Sequence, residues 1–268
     1  MSTDTCIRYV REALGDPEIA VEIENVQRWS ASAEYAARLR EGRIFLAGDS
    51  AHVMPPTGGF GGNCGVQDGY DLAWKLAYVL DGRAGDALLA TYEEERQPVG
   101  AFTTEQAYSR YVLRLDPALG KENLVPIVGE AEIELGYRHR SGAVLGADED
   151  AMWEDPREPS GRPGFRPPHV PIDGGRSTLD LFGRELVVLT GSDGKAWRAA
   201  ARAADTKAHR LDADAFAAAY GIGPAGAVLV RPDGFVAWRA TGAHADAQGE
   251  LAKALGAALC RQTATLAA

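Results

Sequence analysis

The residues with the most evident chemical potential lie between positions 42 and 69. There an apolar run, Arg43-Ile-Phe-Leu-Ala47, ends in Gly48-Asp49, and the chain then reads Ser-Ala-His52-Val-Met-Pro55-Pro56-Thr57-Gly58-Gly59-Phe60-Gly61-Gly62-Asn63-Cys64-Gly65. The apolar run predicts a short buried strand, followed by a glycine-rich loop and a helix over residues 66–80. A carboxylate at the end of such a strand, here Asp49, can accept hydrogen bonds from ligand hydroxyls. Bare backbone N–H groups over residues 58–65, ahead of a helix, suit a phosphate or an electron-rich ring edge. Two readings stay open on these residues alone: a cofactor loop, or a structural turn over a core.

The elements that must position this segment extend on both sides. Residues 19–29 alternate and predict a strand, and residues 31–40 a short helical or irregular approach. Leu72, Ala73, Leu76, Ala77 and Leu80 recur at helical spacing. Asp86 can cap a second helix that runs, kinked or restarted at Pro98, through Arg110. Residues 133–137 predict a short strand. Residues 147–171 hold six prolines among Asp, Glu and Gly, and mark the best linker. Beyond it come a strand at 185–190, a helix at 195–204, a strand at 209–211 and a helix at 213–220. A hairpin at 227–239, turning on Pro232-Asp233-Gly234, and a helix at 248–260 complete a small α/β domain.

These linked motifs resemble the group A flavoprotein aromatic hydroxylases, the para-hydroxybenzoate hydroxylase-like FAD monooxygenases, in their aromatic polyketide hydroxylase branch. The resemblance continues through Tyr70-Asp-Leu-Ala-Trp-Lys-Leu76, Tyr92-Glu-Glu-Glu-Arg-Gln-Pro98, Gly164-Phe-Arg-Pro-Pro-His169 and Val230-Arg-Pro-Asp-Gly-Phe-Val-Ala-Trp-Arg239. It implies that Gly48 and Asp49 hold the ribityl chain of FAD. Pro56, Thr57, Gly58 and Gly59 would run beside the isoalloxazine, and Gly61, Gly62, Asn63 and Cys64 would face its pyrimidine edge. It names no catalytic side chain and no metal ligand. The flavin carries the oxygen chemistry, with NAD(P)H as co-substrate and an aromatic molecule as substrate, while the protein supplies placement and polarity.

The resemblance also implies an α/β fold class: a partial FAD-binding domain followed by a thioredoxin-like domain. Residues 1–41 would be the remnant of a middle or substrate domain. Residues 42–146 would be the C-terminal part of the FAD-binding domain, 147–171 the linker and 172–268 the thioredoxin-like domain. The family's strand, Gly-x-Gly-x-x-Gly turn and helix that bind ADP are not found at the N-terminus of this sequence. The expectation is therefore a C-terminal half with an incomplete FAD site, inactive alone, whose partner is an N-terminal half carrying that turn. The alternatives are a non-catalytic remnant or accessory protein retaining the fold, and an unrelated nucleotide-binding module.

Charge and composition bound these readings. Thirty-eight acidic against 28 basic residues give a net charge of −10, which disfavours nucleic acid and anionic membrane surfaces as partners. Three separated cysteines, Cys6, Cys64 and Cys260, form neither a disulfide framework nor a metal motif, and fit the cytoplasm. His52 is expected to pack beneath the loop, Cys64 to be buried, Trp238 to pack in a core or domain interface, and residues 93–95 to form a solvated helix face. His139, His169, His209 and His244 are dispersed, with no metal cluster in view.

Overall fold

The structure, a computed structural model, describes residues 2–27, 30–146, 151–212 and 214–261. The chain divides into two units, residues 1–31 and residues 32–268. In the first, α1 (Thr3–Leu14) starts at Ser2, whose hydroxyl accepts from the Thr5 N–H, and stops at Gly15 in the left-handed conformation. None of its residues is buried. Residues 19–27 form no strand, contrary to their alternation, and positions 28 and 29 lie outside the described residues.

The second unit begins with two small antiparallel ladders, β1 (Glu34–Tyr35) with β4 (His52–Val53) and β2 (Arg40–Glu41) with β3 (Ile44–Phe45). The expected buried strand at 43–47 is thus only a two-residue ladder, and Ile44 is 69% exposed. Two long helices follow, α2 (Phe60–Leu80) and α3 (Ala90–Arg114), the second running unbroken through Pro98. Residues 133–137 are not a strand: α4 (Glu130–Glu134) takes up the first of them, and Tyr137 makes an isolated bridge to Trp153.

The C-terminal part holds β5 (Val187–Thr190), α5 (Lys195–Ala203), β6 (Lys207–Arg210), α6 (Asp214–Ala219), β7 (Ala227–Val230), β8 (Val236–Ala240) and α7 (Ala247–Ala258). Its sheet order is β6-β5-β7-β8, with β5 and β6 parallel and the other pairs antiparallel. Side chains alternate along β5. Val187 and Leu189 face a cluster with Phe216 and Tyr220, while Val188 faces Trp197, Trp238 and Leu251. Both faces are therefore covered, which accounts for the nearly continuous apolar strands.

The second of these clusters also takes in Trp74 and Tyr78 of α2 and Leu88, so the sheet and α2 share one core. The proline-rich stretch packs as well. Phe165 and Val170 are buried, and residues 165 and 236 are joined by a backbone hydrogen bond. Residues 147–150 of that expected linker lie outside the described residues.

Candidate functional site: a glycine turn over a charged helix pair

The Gly48–Ser50 segment is a single 3-10 turn. Ser50 closes it, its hydroxyl donating to the Ala47 carbonyl at 2.8 Å. Gly48 is left-handed (φ +59°) and passes close to Gly65 in α2, where a Cβ would stand 3.1 Å from the Gly48 Cα. The Gly48 N–H donates to Asp68 Oδ2 at 3.0 Å. This anchoring leaves the Asp49 side chain exposed.

From Pro55 the chain turns into α2. Pro55 is buried and Pro56 exposed, and the Thr57 hydroxyl donates to the Ala107 carbonyl at 2.6 Å. Gly58 and Gly59 are both left-handed, and a Cβ at Gly58 would collide with the buried Phe60 ring. Phe60 anchors the entry beneath the guanidinium of Arg110, 5.2 Å from the ring centre. The helix starts at Phe60, earlier than the expected residue 66, so Gly61, Gly62, Asn63 and Cys64 belong to its first turns rather than to a loop. The first four N–H groups of a helix lack intrahelical acceptors, and the helix dipole adds positive potential there. A Cβ at Gly62 would meet nothing, so that face is open to an approaching group. The Asn63 amide donates to Glu134.

The expected set therefore divides. Asp49, Pro56, Gly58, Gly59, Gly62 and Asn63 are exposed, while Gly48, Thr57 and Gly61 are half-buried behind them. The Cys64 side chain points inward, with its sulfur 3.5 Å from His52 Nε2 and 3.4 Å from an Arg96 nitrogen.

Beneath this surface lies a layer of buried charge. Asp68 takes Arg96 Nε at 2.7 Å on one oxygen, and His52 Nε2 at 2.7 Å on the other. Burial opposes both charges of the His52–Asp68 pair. For His52, the hydrogen bonds and charge interactions with Asp68 and Cys64 together outweigh it, raising the pKa to about 10. The bond from His52 and the Arg96 guanidinium hold Asp68 below the ordinary carboxylate range. Farther along, Glu95 accepts from Lys75 at 2.7 Å and from both terminal nitrogens of Arg231. Arg231 also bonds Asp233. Burial pushes Asp71 up to about 7, with Lys75 opposing and Glu95 adding to the rise. Glu95 is held well below its ordinary value, because the charges of Arg231 and Lys75 outweigh its burial. Burial lowers His139 to about 3, so it is neutral.

The expectation of dispersed histidines and a solvated 93–95 face is corrected here. His139 joins Glu95, Asp71 and Asp233, and His52 joins Cys64 and Asp68, with ligand-type atoms within 4.8 Å in each group. Arg96 serves as counter-ion to the smaller group, and Lys75 and Arg231 to the larger. Glu93 accepts the N–H groups of Leu39 and Arg40, and Glu95 is buried. The sequence signal for this layer was the stripe 64-68-71-75 on α2 facing 92-95-96-99 on α3: helical spacing, but with charge at 68, 71, 75, 95 and 96.

Two family models match the chain: an FAD binding domain over residues 1–107 and the C-terminal domain of aromatic-ring hydroxylases over residues 160–261. A 4-methyl-5-nitrocatechol 5-monooxygenase from Burkholderia sp is 51% identical, over 97% of this chain and 52% of its own length. The aklavinone 12-hydroxylase RdmE of Streptomyces purpurascens is 48% identical, over 90% of this chain and 48% of its own. A crystal structure of aklavinone-11 hydroxylase with FAD and aklavinone superposes with a TM-score of 0.90 at 46% identity, covering 97% of this chain and 52% of that one. The chain thus spans about half the length of the relatives it matches.

These findings correct several expectations. The FAD-binding match begins at residue 1, so the FAD-binding region is not confined to 42–146, and no finding supports a separate N-terminal partner or inactivity without one. FAD agrees with that match, and the description of its site as incomplete is dropped. The C-terminal part matches the aromatic-ring hydroxylase C-terminal domain in place of the thioredoxin-like domain expected. Among the described residues no helix is long and apolar enough to cross a membrane. Along nearly all of its length, then, the chain is similar to flavin-dependent aromatic and polyketide hydroxylases.

Proposed function

We propose that this chain belongs to the flavin-dependent aromatic hydroxylases and serves the hydroxylation of a phenolic or polyketide ring, with FAD as cofactor and NAD(P)H and O₂ as co-substrates. The observation that carries this reading is the exposed arrangement of Asp49, the Gly58–Gly59 turn and the open start of α2, within a region that matches an FAD-binding domain. The residues fit the group. Asp49 offers a carboxylate to ribityl hydroxyls, and Gly48 fixes its backbone. Pro56 and Thr57 shape the ring edge, with Thr57 tied to α3 through the Ala107 carbonyl. The N–H groups of Gly61, Gly62 and Asn63 supply donors and the positive helix end, which favours a flavin carrying negative charge. Cys64 supports this turn from below. Bound FAD would supply the two-electron and oxygen chemistry. The chain's own groups bind, orient and polarise it, and no side chain is assigned as acid or base. The three free cysteines accord with a cytoplasmic location.

Titration of the chain with FAD, followed by quenching of flavin fluorescence, tests this reading. Saturable binding is expected. Asp49→Ala should weaken it roughly 10- to 150-fold, because a hydrogen bond to a charged group contributes about 1.5–3 kcal/mol. Absence of saturation with the folded wild type, or equal affinity in the variant, would overturn it.

A further inference from the structure

His139 takes no part in the proposed flavin surface, yet it sits where the two halves of the buried charge layer meet. Its ring is 1% exposed and stacked on Phe235, with centroids 3.9 Å apart. Its backbone N–H is fixed on the Gly164 carbonyl at 2.8 Å. Nδ1 lies 3.3 Å from Glu95 Oε2, and Nε2 lies 3.5 Å from a terminal nitrogen of Arg96. Arg96 has no lone pair to accept with, so Nε2 must be the acceptor. Nδ1 also lies 3.2 Å from Arg231 Nη2, whose two protons go to Glu95 and Asp233, so the proton of the neutral ring sits on Nδ1, facing Glu95. From Arg96 the path is short: Nε to Asp68 Oδ1, and Asp68 Oδ2 to the N–H of Gly48. Every side chain on this path is buried, so each donor or acceptor left without its partner is costly.

We propose that His139 is a positioning residue for the Gly48–Asp49 turn, acting through Arg96 and Asp68. Through Phe235 and Glu95 it ties that turn to the β7–β8 hairpin, whose Arg231 shares the Glu95 carboxylate. Its relevance to cofactor binding rests on the flavin reading above; the mechanical link to Gly48 does not.

The two ring nitrogens can be tested separately. Gln presents a polar atom near the place of Nε2, Asn near that of Nδ1, and Leu neither. Hydrogen exchange of the Gly48 amide is read in the chain without flavin, with β5 amides as the reference for the core. His139→Leu and His139→Asn should speed Gly48 exchange about tenfold with β5 unchanged. His139→Gln should stay within about threefold of wild type. FAD affinity should follow the same order. Unchanged Gly48 exchange in a folded His139→Asn, or equal acceleration at Gly48 and β5, would overturn the proposal. So would failure of all three variants to fold, since His139 would then serve the core as a whole. If Gly48 responds as expected but the wild type binds no FAD, the flavin reading falls and the positioning role stands.

Discussion

Asp68→Asn is the sharpest perturbation of the candidate site, because it keeps the shape of the side chain and removes only its charge and one acceptor. Asp68 is 0% exposed and serves three donors: Arg96 Nε and His52 Nε2, each at 2.7 Å, and the Gly48 N–H at 3.0 Å. An Asn has a single acceptor oxygen. Its NH₂ must face either Arg96 or the His52–Gly48 pair, donor against donor. The Arg96 guanidinium, also buried, is left without its carboxylate, while its remaining neighbours are the Cys64 carbonyl and sulfur, His139 and the Tyr137 ring. Breaking a buried ion pair from one side costs about 3–5 kcal/mol. At roughly 2–4 °C per kcal/mol for a chain of this size class, the melting temperature should fall by roughly 6–20 °C.

Differential scanning calorimetry measures that fall, and a double-mutant cycle with Arg96→Met isolates its cause. The double variant should be less destabilised than the sum of the single ones by about 1–3 kcal/mol, since removing both charges leaves neither stranded. Cys64 provides a local readout. Its sulfur is covered by His52 and Arg96, so it should react with a thiol reagent faster in Asp68→Asn than in wild type under native conditions. A melting point lowered by less than about 2 °C, together with a cycle additive within about 0.5 kcal/mol, would refute the assignment of Asp68 as anchor of the turn.

Two glycines in the same segment should behave oppositely. Gly65→Ala places a Cβ 3.1 Å from the Gly48 Cα and should cost about 1–3 kcal/mol in thermal unfolding, whereas Gly62→Ala, whose Cβ meets nothing, should raise stability by up to about 1 kcal/mol through helix propensity. The pH dependence follows from two buried groups of opposite sign. His139, lowered to about 3, stays neutral in the fold while the unfolded chain takes up a proton below about 6.5, so its contribution falls as pH drops. Asp71, raised to about 7, holds a proton in the fold that the unfolded chain releases above about 3.9, so its contribution rises as pH drops. Between about pH 4 and 6.5 the two offset each other. Asp71→Asn should remove that offset and steepen the acid loss by up to about 1.4 kcal/mol per pH unit relative to wild type; parallel stability profiles from chemical denaturation would refute it.

The sequence was most legible where its period and its turn chemistry agreed. The 227–239 hairpin turns at Pro232-Asp233-Gly234, and the helices at 195–203 and 247–258 lie within two residues of their expected limits. Of the glycine-rich segment, a glycine-rich turn leading into a helix could be read in advance. The start of α2 could not, because Phe60 enters the helix by burying its ring against Ala107 and Ile133, which are distant in sequence. The run at 43–47 misled for a related reason. Its apolar residues suggest a core strand, but only two of them pair, and with a ladder two residues long. Buried charge was the hardest to read. Glu93, Glu94 and Glu95 look like a solvated face, and only the positions of Arg231, Lys75, Leu39 and Arg40 determine that the first and third do not behave as one.

The charged layer between α2 and α3 carries a cost that apolar packing would avoid, because buried ion pairs are seldom more stabilising than well-packed hydrophobic residues. What the carboxylates provide is directional contact with segments that lack regular structure. Glu93 accepts the backbone N–H groups of Leu39 and Arg40, Asp68 that of Gly48, and Glu95 the hydroxyl of Ser141. A leucine in any of these places could cover a loop but could not fix the direction of an N–H bond. The Gly48 turn has little apolar surface with which to hold itself, since its side chains are small or polar and Asp49 faces outward. Its geometry must therefore come from below. Arg96 and His52 keep Asp68 ionised, ionised Asp68 holds Gly48, and Gly48 in turn sets the direction of Asp49. The two long helices thus act as a rigid base whose buried acids fix the turn above them, and the strength of that hold depends on every cation in the layer remaining paired.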